Sequence, residues 1–71
     1  MAEELQAPLA GTILSVLVAL GAKIDRGDEL LVIEAMKMEN MVYAPCAGAI
    51  SAIMVKAGDR VGAGDLLLVI E

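Results

Sequence analysis

The chain has 71 residues and a formal net charge of −5, so it has room for one small domain, spanning residues 1–71. An acidic chain whose one aromatic residue is Tyr43 lacks the basic patch and the stacking side chains of a nucleic-acid-binding protein. With no histidine and one cysteine, Cys46, neither a metal site, an internal disulfide nor a catalytic acid–base set is expected.

Glycines interrupt the chain so often that no window is long enough for a stable helix. The pieces between them are rich in Val and Ile, as β-strands are, so the sequence predicts an all-β protein. Gly27-Asp28 and Gly64-Asp65 are expected to form matched turns. The predicted strands, in chain order, are Glu4–Ala7, Thr12–Val18, Lys23–Asp25, Glu29–Ala35, Met38–Tyr43, Ala49–Val55, Arg60–Val61 and Leu66–Ile70.

Residues 7–34 and 44–71 are two copies of one pattern. They align without a gap at a constant offset of 37 positions, and about half of the aligned residues are identical. Two copies of one strand set predict two similar four-stranded antiparallel sheets, related by a pseudo-two-fold axis and packed as a flattened β-barrel or sandwich. The step from 13 to 16 breaks the strand period and predicts a β-bulge or a strong twist there. Matched core positions are predicted at Ile13, Val16, Val18, Ile50, Ile53 and Val55.

Residues 35–43 have no counterpart in the repeat, and Lys37 lies among them. The fourth and fifth predicted strands are so close that a two-residue hairpin turn must fall at Met36-Lys37. Such turns favour Asn-Gly, Asp-Gly or another glycine-containing pair. Met-Lys is therefore an unfavourable choice, which indicates a functional reason for it. If the pseudo-two-fold axis is perpendicular to the long dimension of the molecule, this turn and the chain termini are predicted to lie at opposite ends.

The neighbours of Lys37 are also candidates for contact with other proteins. Met36 and Met38 cannot both be buried on a two-residue tip, and the adaptable methionine side chain suits contact with several partner surfaces in turn. Glu34 and Glu39 come just before and just after this tip. They are either recognised by an enzyme that modifies the lysine or simply keep the hairpin soluble.

Ala35-Met36-Lys37-Met38, preceded by Glu34, resembles the modification motif of biotinyl domains, the biotin carboxyl carrier family. The resemblance covers nearly the whole chain and includes Ala7-Pro8-Leu9-Ala10-Gly11 before the motif and Ala44-Pro45 with Gly48 after it. It implies a flattened barrel of two four-stranded antiparallel sheets, with the lysine on an exposed hairpin.

The resemblance further implies that a biotin protein ligase joins biotin to the Lys37 amine through an amide. The domain then carries carboxylate between a biotin carboxylase, or a decarboxylase, and a carboxyltransferase, and is a carrier rather than an enzyme. Some members of the family have an inserted thumb between the second and third strands. Residues 19–28 and 56–65 are equal in length, so the thumb is absent, as in the carriers of propionyl-CoA-type carboxylases, transcarboxylase and sodium-pump decarboxylases.

Two alternatives remain open. A lipoyl carrier of the 2-oxo acid dehydrogenase type shares this fold, but its lysine normally has Asp before it and Ala after it, where this chain has Met36 and Met38. The other alternative is an unmodified barrel that serves as an interaction module.

No apolar run approaches the roughly 20 residues of a membrane span, and no signal peptide is evident. We therefore expect no direct membrane insertion and a cytoplasmic location, or the mitochondrial matrix for a part of an organelle enzyme.

Overall fold

The computed structural model describes residues 2–71, which form eight β-strands and no helix. None of these residues belongs to a helix with the length and apolarity that a membrane crossing needs. All eight predicted strands are present, so the all-β prediction is confirmed. The strands are β1 (Glu3–Gln6), β2 (Gly11–Val16), β3 (Lys23–Ile24), β4 (Glu29–Ala35), β5 (Met38–Tyr43), β6 (Gly48–Ile53), β7 (Arg60–Val61) and β8 (Leu66–Ile70).

The strands make two four-stranded sheets in which every pairing is antiparallel. Sheet A has the order β1-β8-β6-β3, and sheet B has the equivalent order β5-β4-β2-β7. Together they measure 32 Å in the longest direction and 17 Å in the other two. The predicted pair of similar sheets is therefore confirmed, and the hairpin that carries Lys37 belongs to sheet B.

The two halves of the repeat exchange short strands. β3 follows β2 of sheet B along the chain but pairs with β6 in sheet A, and β7 crosses in the same way to pair with β2. The crossing loops bond to the opposite sheet, because Gly21 N–H donates to Ile50 O at 2.8 Å and Gly58 N–H donates to Ile13 O at 2.7 Å. β2 and β6 must leave their own sheets to begin this crossing, which explains why both end two residues earlier than predicted.

The core lies between the sheets and is entirely apolar. Of the six predicted core residues, only Ile13 and Ile50 are fully buried; the other four lie where β2 and β6 leave their sheets, and they pack against the core from its margin. The predicted bulge is present after Ile13, and its equivalent follows Ile50. The remaining large, fully buried side chains come from β4 and β8: Leu30, Leu31, Ile33, Leu67, Leu68 and Ile70.

The two Gly-Asp turns are matched in detail. Gly27 and Gly64 have φ angles of 90° and 91°, a region that glycine enters without steric penalty. The carboxylates of Asp28 and Asp65 each accept a hydrogen bond from the backbone N–H three positions earlier, at 2.8 Å and 2.7 Å. The predicted turns are confirmed, and they lead into β4 and β8 in the same way.

The chain path separates the Lys37 turn from the chain ends. β5 runs away from the turn, and residues 44–47 then bring the chain to β6, where Ala49 N–H donates to Glu71 O at 2.7 Å. Glu3 pairs with Ile70 at this same end. At about 3.3 Å per residue, the six residues of β5 put roughly 20 Å between the two ends. The predicted separation holds for the described residues; Met1 lies outside them.

Gly11 allows β2 to pass close beside the strand that leads to the Lys37 turn. A Cβ atom on Gly11 would lie 2.8 Å from Ile33 Cγ2 and closer still to the carbonyl oxygen of Glu34. Gly48, its counterpart in the repeat, is equally close to Ile70 and Glu71 in sheet A. A glycine is therefore required at both positions by the approach of two backbones, and at Gly11 this approach fixes the base of the hairpin.

We expect Gly11→Ala to lower the free energy of unfolding by about 1–3 kcal/mol, because the added methyl group forces β2 away from β4. Urea unfolding followed by circular dichroism measures the change. Gly62→Ala is the matched control, since its nearest atoms lie 3.7 Å from the new Cβ and its φ is not positive. An equal loss of stability in both variants would contradict this explanation.

Candidate functional site

The Lys37 hairpin is a two-residue turn closed by the pair Ala35 and Met38. Met36 has a φ of 53° and Lys37 a φ of 64°. Positive φ at both central residues defines a type I′ turn, whose twist matches that of the flanking strands. The predicted position of the turn is therefore confirmed, and its backbone is one that ordinary side chains rarely adopt.

This turn is conformationally strained. Met36 and Lys37 are the two non-glycine residues with positive φ among residues 2–71, and each such residue costs about 1–2 kcal/mol. The sheet stabilises the turn in this strained conformation, because β4, which leads into the turn, pairs with β2 on one side and β5 on the other. Ala35 is buried, and Ile33, two residues earlier on β4, fixes the first strand of the hairpin to the core. The tip is thus rigidly presented in a conformation that its own residues do not favour.

The tip itself faces water. Met36 is 92% exposed and Met38 is 67% exposed, which agrees with the prediction that both cannot be buried. Lys37 is exposed as well. The ion pair found within residues 2–71 joins Lys56 and Asp59, so the ammonium group of Lys37 is not held by a carboxylate of the described chain. It is a freely accessible amine on a rigid support.

Two carboxylates face each other beside the tip. Glu34 and Glu39 are directly opposite in the β4–β5 pairing, and both are exposed. Like charges in this position destabilise a sheet. Across sheet B, Glu34 pairs with Thr12 on β2, and Thr12 pairs with Arg60 on β7. The positive charge of Arg60 therefore lies at the edge of the sheet, with Thr12 between it and the two carboxylates. The structure thus brings every predicted site residue into one hairpin and adds an unfavourable acidic pair to its strained turn.

Asn40 is a supporting residue that the sequence analysis missed. Its side-chain amide donates to Met38 O at 3.2 Å and to Ile33 O at 3.4 Å, so it bridges backbone groups of both strands just below the turn. Asparagine is uncommon in strands, and its place in β5, between residues predicted as strand, was the available signal. Its contacts stabilise the base of the hairpin.

Comparison with known proteins gives one family and several relatives. Residues 3–70 match the family model described as "Biotin-requiring enzyme". The chain is 49% identical over 41 residues to the methylmalonyl-CoA decarboxylase subunit gamma of Veillonella parvula, and 48% identical over 41 residues to the biotin carboxyl carrier protein of Streptococcus mutans. Each alignment covers 58% of this chain and 32% of the relative, so the chain spans about a third of these proteins.

Two solved structures are similar over nearly the whole chain. The match to a single-chain, multi-domain long-chain acyl-CoA carboxylase has a TM-score of 0.91 and 43% identity, and it covers 96% of this chain and 7% of the carboxylase. The Kluyveromyces lactis urea carboxylase gives a TM-score of 0.93 and 39% identity, with coverage of 100% and 6%. In both, the similar region is a small part of a much larger chain.

We expect Met36→Asn to raise the free energy of unfolding by about 0.5–1 kcal/mol, because asparagine tolerates the left-handed conformation of a type I′ turn. Chemical denaturation measures this gain. Met54→Asn is the control: Met54 is also exposed, at 58%, but its φ is not positive. If both variants gained stability equally, the strain at the turn would not be the cause.

Asn40→Ala should lower the free energy of unfolding by about 0.5–1.5 kcal/mol, because the two carbonyl contacts of its side chain are lost. Amide hydrogen exchange should also become faster in the β4–β5 hairpin than elsewhere. Ser51→Ala removes a single exposed hydrogen bond to Val69 O in sheet A and serves as the control. Unchanged exchange in the hairpin would show that Asn40 does not support it.

Proposed function

The chain belongs to the family of biotin-requiring enzymes, and we propose that it is a biotin carboxyl carrier domain whose biotin is joined to Lys37. The observation that carries this proposal is the position of Lys37 on a strained, exposed type I′ turn, outside the repeat that builds the fold. A turn chosen for folding would have a different sequence. Two relatives have names that refer to biotin, and this favours biotin over lipoate as the attached group.

The hairpin fits a covalently attached group. An amide to Lys37 needs a primary amine that reaches beyond the protein surface, and the exposed side chain at the tip supplies one. When attached, biotin supplies a ureido nitrogen that takes up and releases carboxylate. The chain contributes no acid–base chemistry to that exchange; it presents the group and holds its point of attachment in place.

Attachment requires the Lys37 amine in its neutral form, because an ammonium ion has no lone pair with which to attack a carbonyl carbon. A new N–C bond forms as the leaving group departs from the activated carboxyl group of biotin, and the proton of the amine is lost. Within the described chain Lys37 makes no ion pair, and we propose that the modifying enzyme, a biotin protein ligase, accepts the proton.

The position of the turn suits movement between two active sites. Roughly 20 Å of β5 separate Lys37 from the end where Glu3 and Glu71 lie, so a tether at that end leaves the lysine free. A tethered carrier keeps the attached group at high local concentration around its partners. We propose that these partners are a biotin carboxylase or decarboxylase and a carboxyltransferase, in the cytoplasm or the mitochondrial matrix.

Lys37→Arg tests the function directly. Coexpressed with a biotin protein ligase and biotin, the wild-type chain should gain the mass of one biotinyl group and bind streptavidin, whereas Lys37→Arg should gain none because its guanidinium is not a nucleophile at neutral pH. Lys56→Arg, which changes another exposed lysine, should be modified like the wild type. Peptide mapping identifies the modified residue.

Two results would contradict the proposal. Folded wild-type protein that remains unmodified in this experiment would favour the interaction module. A lipoyl adduct on Lys37, found by intact mass after coexpression with a lipoyl ligase and in the absence of biotinylation, would favour the lipoyl carrier.

A further inference from the structure

The outer face of sheet B carries an apolar patch, formed by Leu14, Val32, Met41 and Tyr43 and called here the outer patch. Val32 and Met41 are directly paired, and both are half-buried. Leu14 lies in the bulge opposite Val32 and is 38% exposed, and Tyr43 at the end of β5 is 55% exposed. These side chains point away from the core, since successive residues of a strand alternate between its two faces.

The internal repeat provides a comparison within the same molecule. The positions equivalent to Leu14, Met41 and Tyr43 in sheet A are occupied by Ser51, Glu4 and Gln6. All three are polar and exposed, although the backbone of the two sheets is the same in pairing order. The fold therefore does not require apolar side chains at these positions, and their presence in sheet B needs another explanation.

Acidic residues lie at both ends of the outer patch. Glu34 and Glu39 lie at its end nearest the Lys37 turn, and Glu29 pairs with Tyr43 at the other end. The equivalents of Glu29 and Glu39 in sheet A are Leu66 and Ala2, so most of the acidic rim is also specific to sheet B. An apolar centre with a charged rim has the composition of a protein–protein contact surface.

The charge of the rim selects the kind of partner. In a two-fold dimer of this chain the same surface would meet itself, so its carboxylates would repel each other, and each chain has a net charge of −5. An anionic lipid surface would be repelled in the same way. A protein surface with an apolar centre and Lys or Arg residues around it complements both features.

The outer patch is continuous with the Lys37 hairpin. A partner that binds the patch is therefore one that also contacts the hairpin. Glu34 and Glu39 belong to the rim of the patch and also flank the turn. The side chain of an unmodified lysine carries its amine only a short distance beyond the turn, so an enzyme that acts on this amine must bring its own surface against the hairpin and the adjoining face. The biotin attached to Lys37 extends further from the turn than the lysine amine does. An enzyme that acts on the attached biotin therefore needs less contact with the domain.

We propose that the outer patch is the docking surface for the biotin protein ligase, and that the ligase presents an apolar surface with a basic rim to it. This inference rests on the proposed function of Lys37. It assigns to Leu14, Met41 and Tyr43 a role in binding and none in the chemistry of amide formation. Removal of their apolar surface should therefore weaken binding without slowing the reaction in the bound complex.

The test compares rates of biotin attachment by a purified biotin protein ligase with biotin and MgATP, measured over a range of carrier concentrations. We expect the combined variant Leu14→Ser, Met41→Gln and Tyr43→Gln to raise KM by at least about tenfold with little change in kcat. Two of these substitutions introduce the residues that the repeat has at the equivalent positions. Thermal unfolding confirms that the variant is folded, and Tyr43→Gln alone gives a milder variant with a smaller rise in KM.

Met54→Gln with Val69→Thr is the matched control, because it removes apolar surface on the side of sheet A; its KM should equal that of the wild type. The acidic rim is tested separately with Glu29→Gln and Glu39→Gln. At low salt this variant should have a higher KM than the wild type, and its KM should depend less on NaCl concentration, because exposed charges are screened over about 10 Å at 0.1 M salt.

The possible outcomes separate the inference from the function. A wild-type chain that is never biotinylated would overturn the proposed function itself. A wild-type chain that is biotinylated, with an unchanged KM in the combined variant, would overturn only the docking surface. Sedimentation that shows a wild-type dimer abolished by the same substitutions would assign the outer patch to a second copy of the chain and would also overturn the inference.

Discussion

The hydrogen bonds by which each crossing loop reaches the opposite sheet determine most of this structure. Ile13 and Ile50 are the residues that accept these bonds, and they are also fully buried at the centre of the core. Each half of the repeat therefore completes the sheet of the other half. In a domain of 71 residues, whose core is small and which has no disulfide among the described residues, such mutual dependence makes folding cooperative.

The stability of this framework permits unfavourable features in one place. The segment outside the repeat contains a strained turn, a pair of carboxylates that face each other, and two exposed methionines. Each is unfavourable for folding when considered alone. β4 is the hairpin strand that is anchored in the core, through Leu31 and Ile33. The side chain of Asn40 on β5, the other strand, bonds to β4. Departures from local folding rules concentrated at one site are typical of functional positions.

Much of this arrangement could be predicted from the sequence because the repeat supplies information that single residues do not. The offset between its copies predicts the matched Gly-Asp turns and the position of Lys37 at the tip, and the break in strand period between 13 and 16 predicts the irregularity after Ile13, whose equivalent after Ile50 the structure adds. The exchange of β3 and β7 between the sheets was not predicted, because it depends on which sheet a two-residue strand joins, and such short strands leave no periodic pattern.

The details of the site that were missed have a similar cause. Glu34 and Glu39 face each other because of the register of the hairpin. The geometry of the turn fixes this register, and the sequence pattern alone does not. The partial burial of Val16 and Val18, which had been predicted as core, follows from the departure of the chain toward the opposite sheet. Asn40 gave a compositional signal, but its two acceptors on different strands could not be identified without coordinates.

The exchange of strands has a consequence for how such a molecule could originate. Because the exchange is reciprocal, two separate copies of one half-length ancestor could form the same backbone bonds as a strand-swapped homodimer, and gene duplication with fusion would then join them in one chain. In this view residues 35–43 descend from the connection between the two copies. A connection is the part of a fused dimer that the ancestral fold constrains least, and so it is where a new sequence motif can arise without loss of the original architecture.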